Sequence, residues 1–224
     1  MAEWRLLNSG NCDGYFNMAV DEAIFLCVIN NTSPSTLRFY GWSFPSVSFG
    51  YFQKINEVKQ VFSAQTNFIR RITGGGAVYH NKELTFSIIC KSEDLPGLST
   101  LDSYKYISEK IIEGLQTIGI EAELYHGKMQ GGLCCFTSPQ LNDVVVGGIK
   151  LYGGAQRRRN GVLLHQGSIM LNTSLFERVK SGIINSFMRH SGIKFEEGAL
   201  SEDEFRIYKN LLEKYKSEAW NNRY

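Results

Sequence analysis

The sequence has no long apolar run, no export signal and little net charge, and each absence excludes a class of protein. Its apolar runs fall short of the roughly 18 to 20 residues that span a membrane, and residues 1–5 carry no signal-peptide core. The formal net charge is +2 at pH 7, whereas dedicated nucleic-acid binders are usually far more basic. We therefore expect a cytoplasmic protein that binds neither a membrane nor a nucleic acid.

Metal-ligand and disulfide patterns are also missing. The five cysteines are an odd number without C-x-x-C pairs, and the four histidines are scattered along the chain. We therefore expect neither a disulfide framework nor a metal site. No internal repeat, low-complexity segment or linker divides the sequence, so residues 1–224 are expected to form one domain.

What the sequence does contain is a glycine-rich segment at its centre. Arg70, Arg71 and Thr73 lead into three consecutive glycines at positions 74–76, and strand patterns lie on both sides. Because glycine has no Cβ atom, the backbone there can approach a bound molecule and offer N–H groups to an anion. A hairpin turn with two solvated arginines is the simpler interpretation. No Walker or dinucleotide-binding motif follows the glycines.

Helix and strand patterns come in irregular order, which predicts an α+β fold with a central mixed, largely antiparallel sheet flanked by helices. Amphipathic spacing predicts helices over 17–29, 101–118, 176–189 and 201–216. Asn17 is a candidate cap of the first helix, with Asp21 and Glu22 in its first turns, and a capping box begins the last at Ser201. The basic run at 157–159 is expected to be a solvated loop, with contact to a phosphate or an acidic partner as the alternative.

Several segments together resemble the biotin/lipoate protein ligase superfamily, in its lipoate-protein ligase A family, and most closely the cysteine-dependent octanoyltransferases of lipoate assembly. The most specific are Arg-Arg-x-Thr-Gly-Gly-Gly-x-Val-x-His at 70–80 and Lys-x-x-Gly-x-Ala-Gln at 150–156. Segments 16–23, 36–42, 48–53 and 167–169 extend the resemblance over nearly the whole chain. It implies a catalytic domain of the biotin/lipoate ligase type, without the extra C-terminal domain of many ligases.

The resemblance also implies site residues. The transferases carry Cys-Phe ahead of a proline and a lysine after the next hairpin, which matches Cys135 as nucleophile and Lys150 as its partner. Residue type by itself favours a buried small hydrophobe for Cys135 and a solvated hairpin lysine for Lys150. The implied substrate-binding residues are Arg71, Thr73, Gly74, Gly75, Gly76, His80, Gly153 and Ala155.

The chemistry implied for these residues is consistent. An ammonium such as that of Lys150 lowers the pKa of a nearby thiol from about 8.5, and Lys150 would also shuttle the proton. The amides at positions 74–76 would stabilise the oxyanion. The sequence departs from the family pattern at Asn81, where Asp is typical, at Gly154, where Ser is typical, and at His165-Gln166, where the order Gln-His is typical. This last exchange places the two side chains on swapped strand faces.

The resemblance implies an octanoyltransferase. Octanoyl acyl carrier protein would donate its acyl group to Cys135, and the acyl-enzyme would acylate a lysine of a lipoyl domain such as the glycine-cleavage H protein. No cofactor is expected, since thioester exchange is nearly balanced in energy. The alternatives are an ATP- and Mg-dependent lipoate-protein ligase with Lys150 and Arg71 on the adenylate, an amidotransferase between lipoyl domains, and a non-catalytic binder of lipoyl domains or acyl chains.

Overall fold

The computed structural model describes residues 2–62, 67–95, 99–127 and 138–223, apart from the side chains of residues 190 and 191. The strands in these ranges are β1 (Glu3–Cys12), β2 (Thr36–Trp42), β3 (Ser46–Phe49), β4 (Asn67–Arg70), β5 (Val78–His80), β6 (Leu84–Lys91), β7 (Glu123–Leu124), β8 (Val144–Val146), β9 (Ile149–Arg159), β10 (Val162–Ile169) and β11 (Lys194–Glu197). The helices are α1 (Gly14–Ile29), α2 (Ile55–Val61), α3 (Thr100–Gln116), α4 (Phe176–Ser191), α5 (Glu202–Lys216) and α6 (Glu218–Asn221).

The strands form a large sheet of eight strands in the order β11-β1-β2-β6-β10-β9-β8-β7 and a small sheet in the order β4-β3-β5. In the large sheet β1 runs parallel to both β2 and β11, and the other pairs are antiparallel. The predicted mixed, largely antiparallel sheet is confirmed.

Helices cover both faces of the large sheet, because neighbouring residues of its central strands alternate between two cores. Leu163 of β10 packs with the apolar stripes of α3 and α4, whereas the next residue, Leu164, packs with α1 and α5. Both faces of β10 are thus buried, and its buried residues include the polar His165, Gln166 and Ser168 as well as apolar ones. Within the described ranges, no helix is both long and apolar enough to cross a membrane.

The first helix begins earlier than the apolar spacing predicts. Asp13 caps it by accepting a hydrogen bond from the N–H of Phe16, so the prediction of Asn17 as the cap is wrong. Asn17 lies on the buried face, where it donates to the carbonyl of Gly41 at 3.0 Å. Asp21 is also buried there, and neither it nor Glu22 lies in the first turn, so the role predicted for both in the helix dipole is wrong as well.

The other elements follow the sequence patterns with three exceptions, β9, β11 and α6. The capping box of α5 is present, with reciprocal bonds between Ser201 and Glu204. The solvated loop predicted at 157–159 is wrong, because β9 continues to Arg159 in register with β10. Strand β11, which is polar and mostly exposed, and the one-turn helix α6 carry no apolar period and escaped prediction.

Helices α3 and α4 cross at two glycines. A Cβ atom on Gly114 would lie 2.8 Å from the backbone nitrogen of Ile183, and one on Gly182 would lie 2.5 Å from the carbonyl oxygen of Gly114. Both obstructing atoms belong to the backbone, which cannot move aside as a flexible side chain can. The close approach of the two helices therefore requires both glycines.

Gly114→Ala is expected to lower the free energy of unfolding by about 1 to 3 kcal/mol, because overpacking at this crossing outweighs the gain of about 1 kcal/mol in helix propensity. Urea unfolding followed by circular dichroism measures the change. Gln116→Ala, at an exposed position of the same helix, is the matched control and should change stability by less than about 0.5 kcal/mol. Equal stability of the two variants would contradict the assigned crossing.

Candidate functional site

A cavity lies where the small sheet faces β9 and β10. Its apolar walls are formed by Met18, Tyr40, Trp42 and Val78, and its polar walls include Ser48, Arg71, His80, Gln166 and Ser168. Of the site residues that the sequence predicts, the structure brings Arg71, His80, Gly153 and Ala155 to this cavity. In the part of the chain that the structure describes, no three Cys, His, Asp or Glu side chains are grouped as a metal site requires.

Arg71 gathers the glycine loop around its guanidinium group. It donates to Ser48 Oγ at 2.8 Å, to the carbonyl oxygens of Gly74 at 2.9 Å and Gly76 at 3.0 Å, and to Thr73 Oγ1 at 3.3 Å. The arginine is only 5% exposed. The loop thus turns two carbonyl groups towards Arg71, and the anion cradle of N–H groups stays a prediction.

The loop also comes close to the end of β3. Gly75 has a φ of +84°, a backbone conformation that residues other than glycine rarely adopt. A Cβ atom on Gly50 would lie 2.0 Å from the Gly75 carbonyl oxygen. Glycine is therefore required on both sides of this approach.

Arg70 fixes the start of the glycine loop by hydrogen bonds to other segments of the chain. Its fully buried guanidinium donates to the carbonyl oxygens of Tyr51 and Gln53, both at 2.7 Å, of Asn221 at 2.9 Å and of Trp220 at 3.1 Å. The interpretation of Arg70 and its neighbour Arg71 as solvated is therefore wrong. Arg70 joins the start of the loop to helix α6, which follows it by 150 residues.

Lys150 is buried beside the cavity, so its interpretation as a solvated hairpin lysine is wrong. Its Nζ atom lies 2.6 Å from Asp143 Oδ2. Tyr104 donates to Asp143 Oδ1 at 2.6 Å and accepts from the N–H of Gly154 at 2.7 Å. A Cβ atom on Gly153 would lie 2.7 Å from the Lys150 ammonium, so glycine at this position opens the path from the ammonium to the cavity.

Ser48, His80 and Glu83 form a hydrogen-bonded series at the cavity. Ser48 Oγ lies 2.6 Å from His80 Nε2, and His80 Nδ1 lies 2.5 Å from Glu83 Oε1. The imidazole is stacked on Trp42 with ring centroids 3.8 Å apart. Burial lowers the pKa of His80 below its usual value, although Glu83 opposes the change. Burial would raise the pKa of Glu83, but its bonds to His80 and to the N–H of Asn81 outweigh this effect and lower it.

The two polar residues of β10 lie on opposite faces, as their order predicts. Gln166 faces the cavity, where it accepts from Thr73 Oγ1 at 2.8 Å and donates to Asp21 Oδ2 at 2.8 Å. His165 lies on the other face, hydrogen-bonded to the Tyr152 hydroxyl at 2.5 Å. Burial lowers the pKa of His165 to about 3, so its imidazole is neutral near pH 7.

Two departures from the family pattern explain each other. A Cβ atom on Gly154 would lie 2.6 Å from His165 Nε2 and 2.7 Å from its Cε1 atom. The strand that carries Gly154 pairs with β10, so the imidazole occupies the space that a side chain at position 154 would take. Histidine at position 165 therefore requires glycine at position 154, where the family pattern has serine.

Sequence reasoning missed several partners of the predicted residues. Ser48 lies in a segment of the resemblance, and Glu83 follows His80 by three positions at the start of a strand, but neither spacing indicates the contact. No local pattern marks Asp143 or Tyr104, which meet only in the folded chain. The predicted nucleophile Cys135 lies outside the described residues, together with the adjacent cysteine at 134.

A double-mutant cycle tests the dependence between positions 154 and 165. Gly154→Ala and His165→Ala should each destabilise the protein, the first by a steric clash and the second by leaving a cavity. The free energy of unfolding should fall in the double variant by less than the sum of the two single losses, with a difference of about 1 kcal/mol or more. Removing the imidazole makes room for the methyl group. Urea unfolding measures all three variants.

The control cycle combines His165→Ala with Gly114→Ala at the crossing of α3 and α4, where the obstructing atoms belong to α4 and not to His165. These two changes should add within about 0.5 kcal/mol. If the cycle at positions 154 and 165 were equally additive, the assigned dependence would be wrong.

Comparison with known proteins places this chain in a family. The lipoyl protein ligase A/B catalytic domain matches residues 13–197. Octanoyltransferase LipM of Kyrpidia tusciae is 34% identical over 100% of both chains, as is octanoyltransferase LipM of Clostridioides difficile. Octanoyltransferase LipM of Anoxybacillus flavithermus is 38% identical over 82% of this chain and 74% of its own.

Solved structures show the same fold. A bi-partite lipoate protein ligase from Thermoplasma acidophilum, studied with its E2 lipoyl domain, has a TM-score of 0.76 at 24% identity over 99% of this chain and 97% of its own. Lipoate-protein ligase A bound with ATP has a TM-score of 0.79 at 23% identity, over 99% of this chain and 98% of its own. The predicted ligase-type catalytic fold is confirmed.

Proposed function

The chain belongs to the lipoyl protein ligase A/B catalytic domain family, and we propose that within it the chain is an octanoyltransferase of lipoate assembly. As an acyltransferase, it moves an octanoyl group onto a lysine of a lipoyl domain through an acyl-cysteine at Cys135. Support comes from the relatives named octanoyltransferase, which match along the whole chain. The geometric observation that carries the proposal is the buried ammonium of Lys150 beside the cavity.

The first half-reaction is a thioester exchange. The Cys135 thiolate attacks the carbonyl carbon of octanoyl acyl carrier protein, a carbon–sulfur bond forms, and the bond to the carrier sulfur breaks. The carrier leaves as a thiolate and takes up a proton from solvent. Because one thioester replaces another, the step requires no nucleotide or other cofactor.

Lys150 supplies the charge that this exchange needs. A thiol reacts as its thiolate, and a neighbouring cation favours the thiolate by lowering the pKa of the thiol. Asp143 holds the ammonium at 2.6 Å, and Tyr104 fixes that carboxylate in turn. The ammonium of Lys150 therefore has a defined position close to Gly153 at the cavity.

The second half-reaction forms the amide. The amine of the acceptor lysine attacks the acyl-cysteine, the carbon–nitrogen bond forms, Cys135 leaves as a thiolate, and the new amide nitrogen loses a proton. The acceptor is a lipoyl domain such as that of the glycine-cleavage H protein. A lipoyl-domain partner is consistent with the relation to the lipoate ligase of Thermoplasma acidophilum.

Intact-mass spectrometry tests the proposal directly. The protein mixed with octanoyl acyl carrier protein in the absence of nucleotide should gain the mass of one octanoyl group. Cys135→Ala should abolish the gain because it removes the attacking sulfur, whereas Cys134→Ala, the matched control, should retain it. Added lipoyl domain should then take up the octanoyl group from the wild-type protein.

Other outcomes would support other members of the family. Lipoyl-domain modification that requires ATP and survives Cys135→Ala would indicate a lipoate-protein ligase. Transfer only from one lipoyl domain to another would indicate an amidotransferase. Absence of any acyl-protein product with all three donors would leave a binding protein and overturn the proposed function.

A further inference from the structure

The hydrogen-bonded series that ends at Ser48 has a direction. Glu83 carries a carboxylate, so its 2.5 Å contact with His80 Nδ1 is a hydrogen bond from the Nδ1–H group. The other ring nitrogen, Nε2, is then an acceptor, and the Ser48 hydroxyl donates to it at 2.6 Å. Arg71 donates to the Ser48 oxygen at 2.8 Å, which directs the hydroxyl hydrogen away from the guanidinium and towards His80.

This series is buried yet borders the cavity. His80 is 3% exposed, Ser48 1% and Glu83 5%, and the first two line the cavity wall. The N–H of Asn81 donates to the second carboxylate oxygen of Glu83 at 2.8 Å, and the face of Trp42 covers the imidazole. A neutral imidazole with a carboxylate behind it and a hydroxyl in front is an arrangement that accepts protons.

The proposed second half-reaction needs such an acceptor. The side chain of the incoming lysine is an ammonium with a pKa near 10.4, and it attacks a thioester only after losing a proton. The resemblance implies Lys150 as the proton shuttle, but its ammonium is ion-paired with Asp143 at 2.6 Å, which makes it a poor acceptor for this proton. The first half-reaction has no such requirement, since its nucleophile is already a thiolate.

We propose that His80 is the general base of the amide-forming half-reaction, reached through the hydroxyl of Ser48 and oriented by Glu83. This inference rests on the proposed function, because it requires an acyl-enzyme that reacts with an amine. Ser48 contacts the incoming amine, His80 receives the proton, and Glu83 is a positioning residue that stabilises the imidazolium formed.

The protons and bonds balance in this scheme. The acceptor ammonium passes one proton to the Ser48 oxygen while the hydroxyl proton of Ser48 moves to His80 Nε2. The resulting amine attacks the thioester carbonyl, and collapse of the tetrahedral intermediate breaks the carbon–sulfur bond. The thiolate leaves, the new amide nitrogen releases its second proton to solvent, and His80 returns its proton to solvent before the next cycle.

Glu83→Gln tests the scheme, with the two half-reactions measured separately by intact-mass spectrometry. Acyl-enzyme formation from octanoyl acyl carrier protein should change by less than about twofold. Transfer from the acyl-enzyme to a lipoyl domain should slow by about a hundredfold or more, the usual scale of a general base. Glu57→Gln, at an exposed position of α2, is the matched control and should leave both steps unchanged.

Hydroxylamine, used in place of the lipoyl domain, distinguishes a role of Glu83 and Ser48 in proton transfer from a merely structural role. It is largely uncharged at neutral pH, so it attacks a thioester without first losing a proton. The acyl-enzyme of the Glu83→Gln variant should therefore react with hydroxylamine at the wild-type rate. It should transfer its octanoyl group to the lipoyl domain slowly. Ser48→Ala should show the same selectivity, and it carries the test if circular dichroism shows that Glu83→Gln does not fold.

Three results would overturn the inference. The first is an unchanged rate of lysine acylation in both variants. The second is an equal loss of rate with lysine and with hydroxylamine, and the third is an equal loss of rate in both half-reactions. A mass gain that disappears in Ser48→Ala and persists in Cys135→Ala would assign Ser48 as the nucleophile instead. If the wild-type protein forms no acyl-enzyme, the proposed function itself fails, a result distinct from failure of the base.

Discussion

The carboxylate of Asp21 is the constraint on which the site depends. It is fully buried, and it is bonded to Arg38 at 2.7 Å, to Ser87 at 2.8 Å, to Gln166 at 2.8 Å and to Tyr40 at 3.0 Å. Burial of a charge is costly unless it is paired and fully hydrogen-bonded, so these four partners have little freedom to move. Asp21 thereby fixes helix α1 against β2, β6 and β10 behind the cavity.

Gln166 extends this fixed network to the glycine loop, because its other end accepts from Thr73. The loop is then held by two arginines with different tasks. Arg71 binds loop carbonyls and Ser48 on the cavity side, and Arg70 binds carbonyls of the C-terminal segment on the far side. A segment that is flexible by composition is thus held in one conformation by charge-assisted hydrogen bonds.

Local patterns were sufficient to predict much of the fold. The apolar period of α3, the capping box at Ser201 and the irregular order of strands predicted elements that the structure contains. Asn17 shows where such reasoning fails, since a polar residue near a helix start looks like a cap until its tertiary partner is known. Strand β11 and the extension of β9 depend on pairing with distant strands, which no local pattern records.

The residues of the site likewise fall into two groups, those that local motifs indicate and those that only the fold brings together. Four residues that the family resemblance implies, Arg71, His80, Gly153 and Ala155, line the cavity, and their role in binding substrate stays a prediction. The partners that give these residues and Lys150 their chemistry were missed. Asp143 is seven positions before Lys150, across a tight turn, and Tyr104 reaches it from a separate helix. Charge pairs of this kind are made by the fold, so composition and spacing do not reveal them.

The hydrogen bonds from Arg70 to the carbonyl oxygens of Trp220 and Asn221 make the conformation of the glycine loop depend on helix α6. This turn has only four residues, and a short helical turn opens at a lower free-energy cost than a packed core. Opening of this turn would leave a buried guanidinium without two of its acceptors, loosen the loop and remove Trp220 from the core beside α1 and α5, while the core beside α3 and α4 stays packed. Heat should therefore inactivate the protein before it unfolds completely, and a binder that holds α6 in place would protect a site that it does not contact.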